Sequence, residues 1–235
     1  MYRALAWLLL SLSALALAQS PEERLFEAIA QGKPLVAEGL VANGRVNLEA
    51  RNAEGETPLH RAVEKGLRDL AGLFLKSGAR VSARSNSGET ALHLAALHAD
   101  PWFAGLLLAA KADPRARNDE GESPLHWAAL SGNAATAQRL LEGGADANLR
   151  DIRGNLPLHG AADGGDIETV RLLLKNTADA TARNREGRSA ADLARERNYA
   201  AIAKLLEVPV VVPKGDPGLR TRDIDDPEHP RFQRY

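Results

Sequence analysis

The chain has 235 residues, 30 Lys and Arg against 31 Asp and Glu, 44% hydrophobic and 4% aromatic content, and no cysteine. That apolar share is enough to build a core and excludes a disordered chain, while a formal net charge of -1 gives no overall pull towards nucleic acid or an anionic membrane surface. The missing cysteines exclude disulfides, thiolate metal sites, thiol nucleophiles and lipid attachment through Cys, and the shortage of aromatics beside abundant Ala and Leu favours short helices over a β-rich fold.

At the N-terminus, Arg3 precedes an uncharged run from Ala4 to Ala18 that closes on Ala16-Leu17-Ala18, a small-x-small pattern. This reads as a secretory signal over residues 1–18, shorter than a membrane span requires, with cleavage expected before Gln19. The alternative is an uncleaved anchor, against which no positively charged stop-transfer flank follows. The expected location is therefore exported, most simply the periplasm, with secretion as the other option and no stable membrane span once the signal is removed.

From residue 20 onward one phrase returns: Thr57-Pro58-Leu59-His60, Thr90-Ala91-Leu92-His93, Ser123-Pro124-Leu125-His126, Leu156-Pro157-Leu158-His159, then Ser189-Ala190-Ala191-Asp192. Each step is 33 residues, with no insertion anywhere. A Thr or Ser hydroxyl caps the first helix at Thr57, Thr90, Ser123 and Ser189, Pro sits in its first turn at Pro58, Pro124 and Pro157, and Leu59, Leu92, Leu125 and Leu158 point inward. Ala62, Ala95, Ala128 and Ala161 let adjacent helices approach closely. Gly66, Gly132 and Gly165 end that helix, and Leu-rich runs such as Leu73-Phe74-Leu75 and Leu106-Leu107-Leu108 form a second, antiparallel one.

Phrase, period and turn glycines together resemble the ankyrin repeat from Ser20 to Glu207. The resemblance implies an all-α solenoid of helix-turn-helix units with β-hairpin fingers. The units are an N-terminal capping repeat (19–56), four full repeats (57–89, 90–122, 123–155 and 156–188) and a C-terminal capping repeat (189–207), followed by an extended or disordered tail (208–235). Three departures stand out. Leu156 replaces the capping hydroxyl, at a cost of about 0.5–2 kcal/mol. Lys111 and Thr177 replace the turn glycine present at 78 and 144, so either Asn176 takes the left-handed conformation or that turn differs. Asp100-Pro101 substitutes for the usual glycine-containing turn as a helix start.

Within the tail, the Val210-Val211-Val212 run has two readings besides a solvated tether: packing along the last helices, or adding to a partner's sheet edge. The acidic Asp223 to Glu228 stretch lacks the glycine and closing glutamate of an EF-hand loop, and no metal site is expected.

No hydrolase, phosphate-loop or metalloprotease motif is present, and neither catalysis nor a cofactor is expected. His60, His93, His126 and His159 lie one repeat apart, too far to share a metal. The resemblance implies that they act as structural struts bonding Thr57, Thr90, Ser123 and nearby backbone. What remains is a surface for a protein partner. Arg51, Arg84, Arg117, Arg150 and Arg183 place one arginine in each finger, joined by Arg153. They form either a stripe for carboxylates or phosphates, or simple pairs with Glu56, Glu89 and Glu122. Leu94, Trp127, Leu130 and Ile152 are candidate apolar anchors, with Trp127 either a hot spot or half-buried packing between repeats. The leading expectation is a monomeric, non-enzymatic binding module; the competing one is a polyanion or glycan binder using the arginine column.

Overall fold

The computed structural model describes residues 19–207. The expected signal segment (1–18) and the tail (208–235), with its valine run and acidic stretch, lie outside the described residues.

Six helix pairs follow one another: α1 (Pro21–Ala30) and α2 (Pro34–Ala42), α3 (Pro58–Glu64) and α4 (Arg68–Lys76), α5 (Ala91–Ala96) and α6 (Trp102–Ala109), α7 (Pro124–Leu130) and α8 (Ala134–Glu142), α9 (Pro157–Gly164) and α10 (Ile167–Leu174), and α11 (Ala190–Glu196) and α12 (Ala200–Glu207). Each packs against its partner, and the first helices, α1, α3, α5, α7, α9 and α11, pack in a row against one another. The second helices form a second layer behind them. Leu59, Leu92, Leu125 and Leu158 are at most 1% exposed, and Ala62, Ala95, Ala128 and Ala161 are fully buried. The core is thus a continuous seam between units rather than a centre, and each unit depends on its neighbours for burial.

Gly66, Gly132 and Gly165 leave the first helices with φ between +68° and +82°, the left-handed exit that glycine makes without a Cβ clash. Lys111 adopts φ +69° where Gly78 and Gly144 have +90° and +96°. At the fourth full repeat the turn differs instead. Neither Asn176 nor Thr177 has positive φ; the Thr177 N–H and hydroxyl both donate to the Leu173 carbonyl at 2.8 Å, and the Asn176 amide donates to Leu172. Asp100 takes up the Trp102 N–H at 2.9 Å and so opens α6, as its pairing with Pro101 led one to expect.

The fingers are tight turns rather than laddered hairpins. Among the described residues the only bridge is the isolated antiparallel pair Arg183–Ser189. In each finger the residue after the column arginine closes the loop: the Asn52 N–H donates to the Glu56 carbonyl at 3.0 Å, and the Asn52 side-chain oxygen accepts the Glu56 N–H at 2.8 Å. Ser85, Asn118, Asp151 and Asn184 repeat both bonds. Successive tips are also linked, with the N–H groups of Asn86, Asp119, Ile152 and Arg185 donating to the carbonyls of Glu54, Ser87, Glu120 and Arg153.

Candidate functional site

The four repeat histidines are buried and fully engaged. Nδ1 of His60, His93, His126 and His159 accepts the backbone N–H of the residue three positions earlier at 3.1–3.2 Å. Nδ1 therefore carries no proton, and Nε2–H donates to the carbonyl of Glu89, Glu122, Asn155 or Arg188 at 3.1–3.2 Å. The hydroxyls of Thr57, Thr90 and Ser123 reach the same Nδ1 at 2.8–3.0 Å. Leu156 has no hydroxyl to offer, so His159 keeps only the backbone donor. Burial pushes all four imidazoles towards the neutral form, His93 to about 4. Among the described residues no group of His, Asp and Glu is placed to hold a metal ion.

The arginine column remains exposed, yet the guanidinium groups of Arg51, Arg117, Arg150 and Arg183 lie against the backbone. Arg51 donates to the carbonyls of Gly55 and Arg84, Arg117 to that of Arg150 at 2.7 Å, and Arg150 to those of Gly154 at 2.6 Å and Arg183 at 3.1 Å. Arg183 bonds Gly187 and pairs with Asp192 at 3.0 Å, and Arg84 lies 3.6 Å from Asp119. The pairing with Glu56, Glu89 and Glu122 that the sequence offered as one reading is not found among the described residues. The glutamates face elsewhere: Glu56 towards Asn52 and Arg61, Glu89 towards Ser85, and Glu122 towards Asn118 and Trp127. The guanidiniums instead tie finger to finger. Arg153, in contrast, forms no ion pair among the described residues.

The apolar anchors separate into two kinds. Leu94 is only 7% exposed and belongs to the core, a correction to its expected place on the surface: it sits in the first-helix row between neighbouring units. Trp127 is half-buried, its indole N–H on Glu122 Oε2 at 2.7 Å and its ring edge-on to His93 at 5.5 Å between centroids, which is the packing alternative. Leu130 and Ile152 are open to solvent at 51% and 44%.

Leu130 and Arg153 border a groove of about 480 Å³ between the last two fingers and the faces of α7, α9 and α11. Gly160 lies in its lining. That helical register holds Arg61, Leu94, Trp127 and Leu193 in the other units and no side chain in α9. A Cβ at Gly160 would meet nothing closer than 3.5 Å, so packing does not demand glycine there. Gly164 is a different case, since a Cβ would stand 2.2 Å from the Leu130 carbonyl oxygen where α9 crosses α7. Around the groove Arg197 makes a two-pronged pair with Asp163, at 2.6 and 3.0 Å, and Arg188 is shared between Glu186 and Glu196.

A family model described as ankyrin repeats (3 copies) matches the chain over residues 25–118, 92–184 and 125–209. The chain belongs to the ankyrin-repeat family. The stacked pairs, the struts and the finger turns are thus those of an ankyrin solenoid, a fold that serves as a protein-binding scaffold and typically carries no catalysis. No curated protein gives a significant match. No helix among the described residues is long and apolar enough to cross a membrane. The groove went unread in the sequence because it arises from an absent side chain, although the break at Gly160 in the register that runs from Arg61 to Leu193 was a visible signal.

Proposed function

We propose that this ankyrin-repeat protein is a non-catalytic scaffold acting outside the cytoplasm, holding a partner protein on the groove formed by its last two fingers and α7, α9 and α11. The observation that carries the reading is the groove itself, with Leu130 half-exposed on its wall and Arg153 uncommitted at its rim. Partly exposed apolar side chains ringed by charged ones are the usual anatomy of a binding surface. The site lies nearer the C-terminus than the arginine and Trp127 columns suggest, because the residues of those columns are engaged within the stack. Action outside the cytoplasm rests on the apolar run Ala4 to Ala18 and its small-x-small close. Binding of a polyanion or glycan along the arginine column is the weaker reading, since those guanidiniums are held against finger carbonyls.

The test is affinity capture from the native envelope fraction with the protein and with Leu130→Asp, Gly160→Trp and, on the opposite layer, Leu35→Asp. A partner retained by Leu35→Asp and lost with the two groove variants supports the reading. Equal capture by all four refutes it.

A further inference from the structure

The groove is electrically unbalanced. Glu122, Asp151, Asp163, Glu186 and Glu196 line it with five carboxylates, against the guanidiniums of Arg153, Arg188 and Arg197, and its two histidines are neutral. Arg197 is taken up by Asp163, and Arg188 serves two glutamates at once. Glu122 and Asp151 accept only from uncharged N–H groups: the Trp127 indole and Asn118 amide for the first, the backbone of Arg153 and Asn155 and the Asn155 amide for the second. A recess whose lining carries more carboxylates than guanidiniums favours a cationic occupant.

Shape adds a second requirement. Gly160 lines the groove without a side chain, a Cβ there would stand 3.5–3.6 Å from the His126 carbonyl and from N and Cβ of Leu130, and Leu130 and Leu193 line the groove beside it. Glycine in a helix interior is destabilising relative to alanine, and no contact at 160 requires it. The opening suits a bulky apolar group, the kind of group that Trp127 places in the same register one unit earlier.

We infer that the groove takes a segment of a partner protein in which one bulky apolar side chain is flanked by lysine or arginine. The apolar group fills the space over Gly160 between Leu130 and Leu193, and the cations meet Glu122, Asp151, Glu186 and Glu196. This rests on the scaffold reading above and adds the chemistry of the partner.

A displayed library of random dodecapeptides, selected on the immobilised protein, tests it. Gly160→Trp fills the groove and Leu130→Ser removes its wall without filling it; circular dichroism of both establishes that they fold. Glu186→Gln combined with Glu196→Gln reduces the charge. The expected result is enrichment of sequences with an aromatic or large aliphatic residue within two positions of Lys or Arg. Their binding falls at least about tenfold with each shape variant, and it weakens both with the charge variant and with added salt. Enriched sequences that are acidic or uncharged, yet lost with Gly160→Trp, overturn the partner chemistry and leave the groove standing. Sequences that bind Gly160→Trp as well as the original protein overturn both, and an absence of enrichment overturns the inference.

Discussion

His93 Nε2 lies 3.1 Å from the carbonyl oxygen of Glu122, so that one imidazole ties the start of helix α5 to the finger that opens the next unit. Its Nδ1 accepts from the Thr90 N–H at 3.1 Å and meets the Thr90 hydroxyl at 3.0 Å. Replacing His93 with Ala leaves the Thr90 N–H without a partner, reduces the Glu122 carbonyl to the Asn118 N–H alone, and opens a void in a fully buried site. The expected loss is on the order of 2–4 kcal/mol. Thr90→Val removes only the hydroxyl, which the fourth full repeat lacks at Leu156, and costs about 1 kcal/mol. Urea unfolding measures both, and equal losses would show that the hydroxyl and the ring matter alike.

The same struts give the stack an acid-sensitive window. In the unfolded chain these imidazoles titrate near 6.5; in the folded one desolvation lowers all four, His93 to about 4. Between those values the unfolded chain binds more protons, so stability that is complete above about pH 6.5 is lost progressively as the pH falls towards about 4. Asp192 stands where a fifth histidine would be. It is held down to about 2, first by the Ser189 N–H at 2.9 Å and then by the Ser189 hydroxyl at 2.8 Å, so its contribution is lost only below the ordinary carboxylate range. Melting temperatures recorded from pH 7.5 to 4 should decline through that interval; a flat profile would contradict the assignment of neutral, buried rings.

Gly160 and Gly164 lie one turn apart in α9 and should respond in opposite directions to the same substitution. Gly160→Ala adds a Cβ in ordinary contact and removes the conformational freedom of glycine from the unfolded chain, a gain of about 0.5–1 kcal/mol. Gly164→Ala drives a Cβ into the Leu130 carbonyl and costs about 1–3 kcal/mol or more. Thermal or urea unfolding of the two variants side by side checks the sign of each.

Lys111 holds a left-handed backbone at φ +69° that Gly78 and Gly144 hold in the neighbouring units. Lys111→Gly should stabilise the protein by up to about 1 kcal/mol, the relief of strain exceeding the entropy glycine adds to the unfolded chain. Thr177→Gly should give no such gain, because that turn stays right-handed and uses the Thr177 hydroxyl on Leu173. Denaturation midpoints of the two variants decide this.

The period of the fold was legible because most units repeat the same physics: proline in a first turn, an inward leucine, an alanine for close approach and a glycine where the chain turns left. The histidine struts were legible through the same register. The arginine column was visible in the sequence, but its partners were not. Arg117 and Arg150 bond main-chain carbonyls 33 residues away, and carbonyls leave no mark on composition or charge pattern. Leu94 reads as a surface anchor by analogy with its neighbours, whereas the packing of α5 between α3 and α7 buries it. The finger-closing residues Asn52, Ser85, Asn118, Asp151 and Asn184 stood in plain register beside the arginines, with the side-chain oxygens such turns need. The groove needed the structure, since its depth depends on how α7, α9 and the fingers enclose the space left by Gly160.

The most direct test of the binding surface is site-specific photo-crosslinking in the cells that make the protein, with a benzoylphenylalanine at Leu130 in the groove and, separately, at Leu35, which is 81% exposed on α2. The groove position should yield a discrete adduct with a partner protein, and that adduct should disappear when Gly160→Trp is introduced. An adduct from Leu35 with none from Leu130, or a Leu130 adduct indifferent to Gly160→Trp, would contradict the groove as the surface through which this scaffold works.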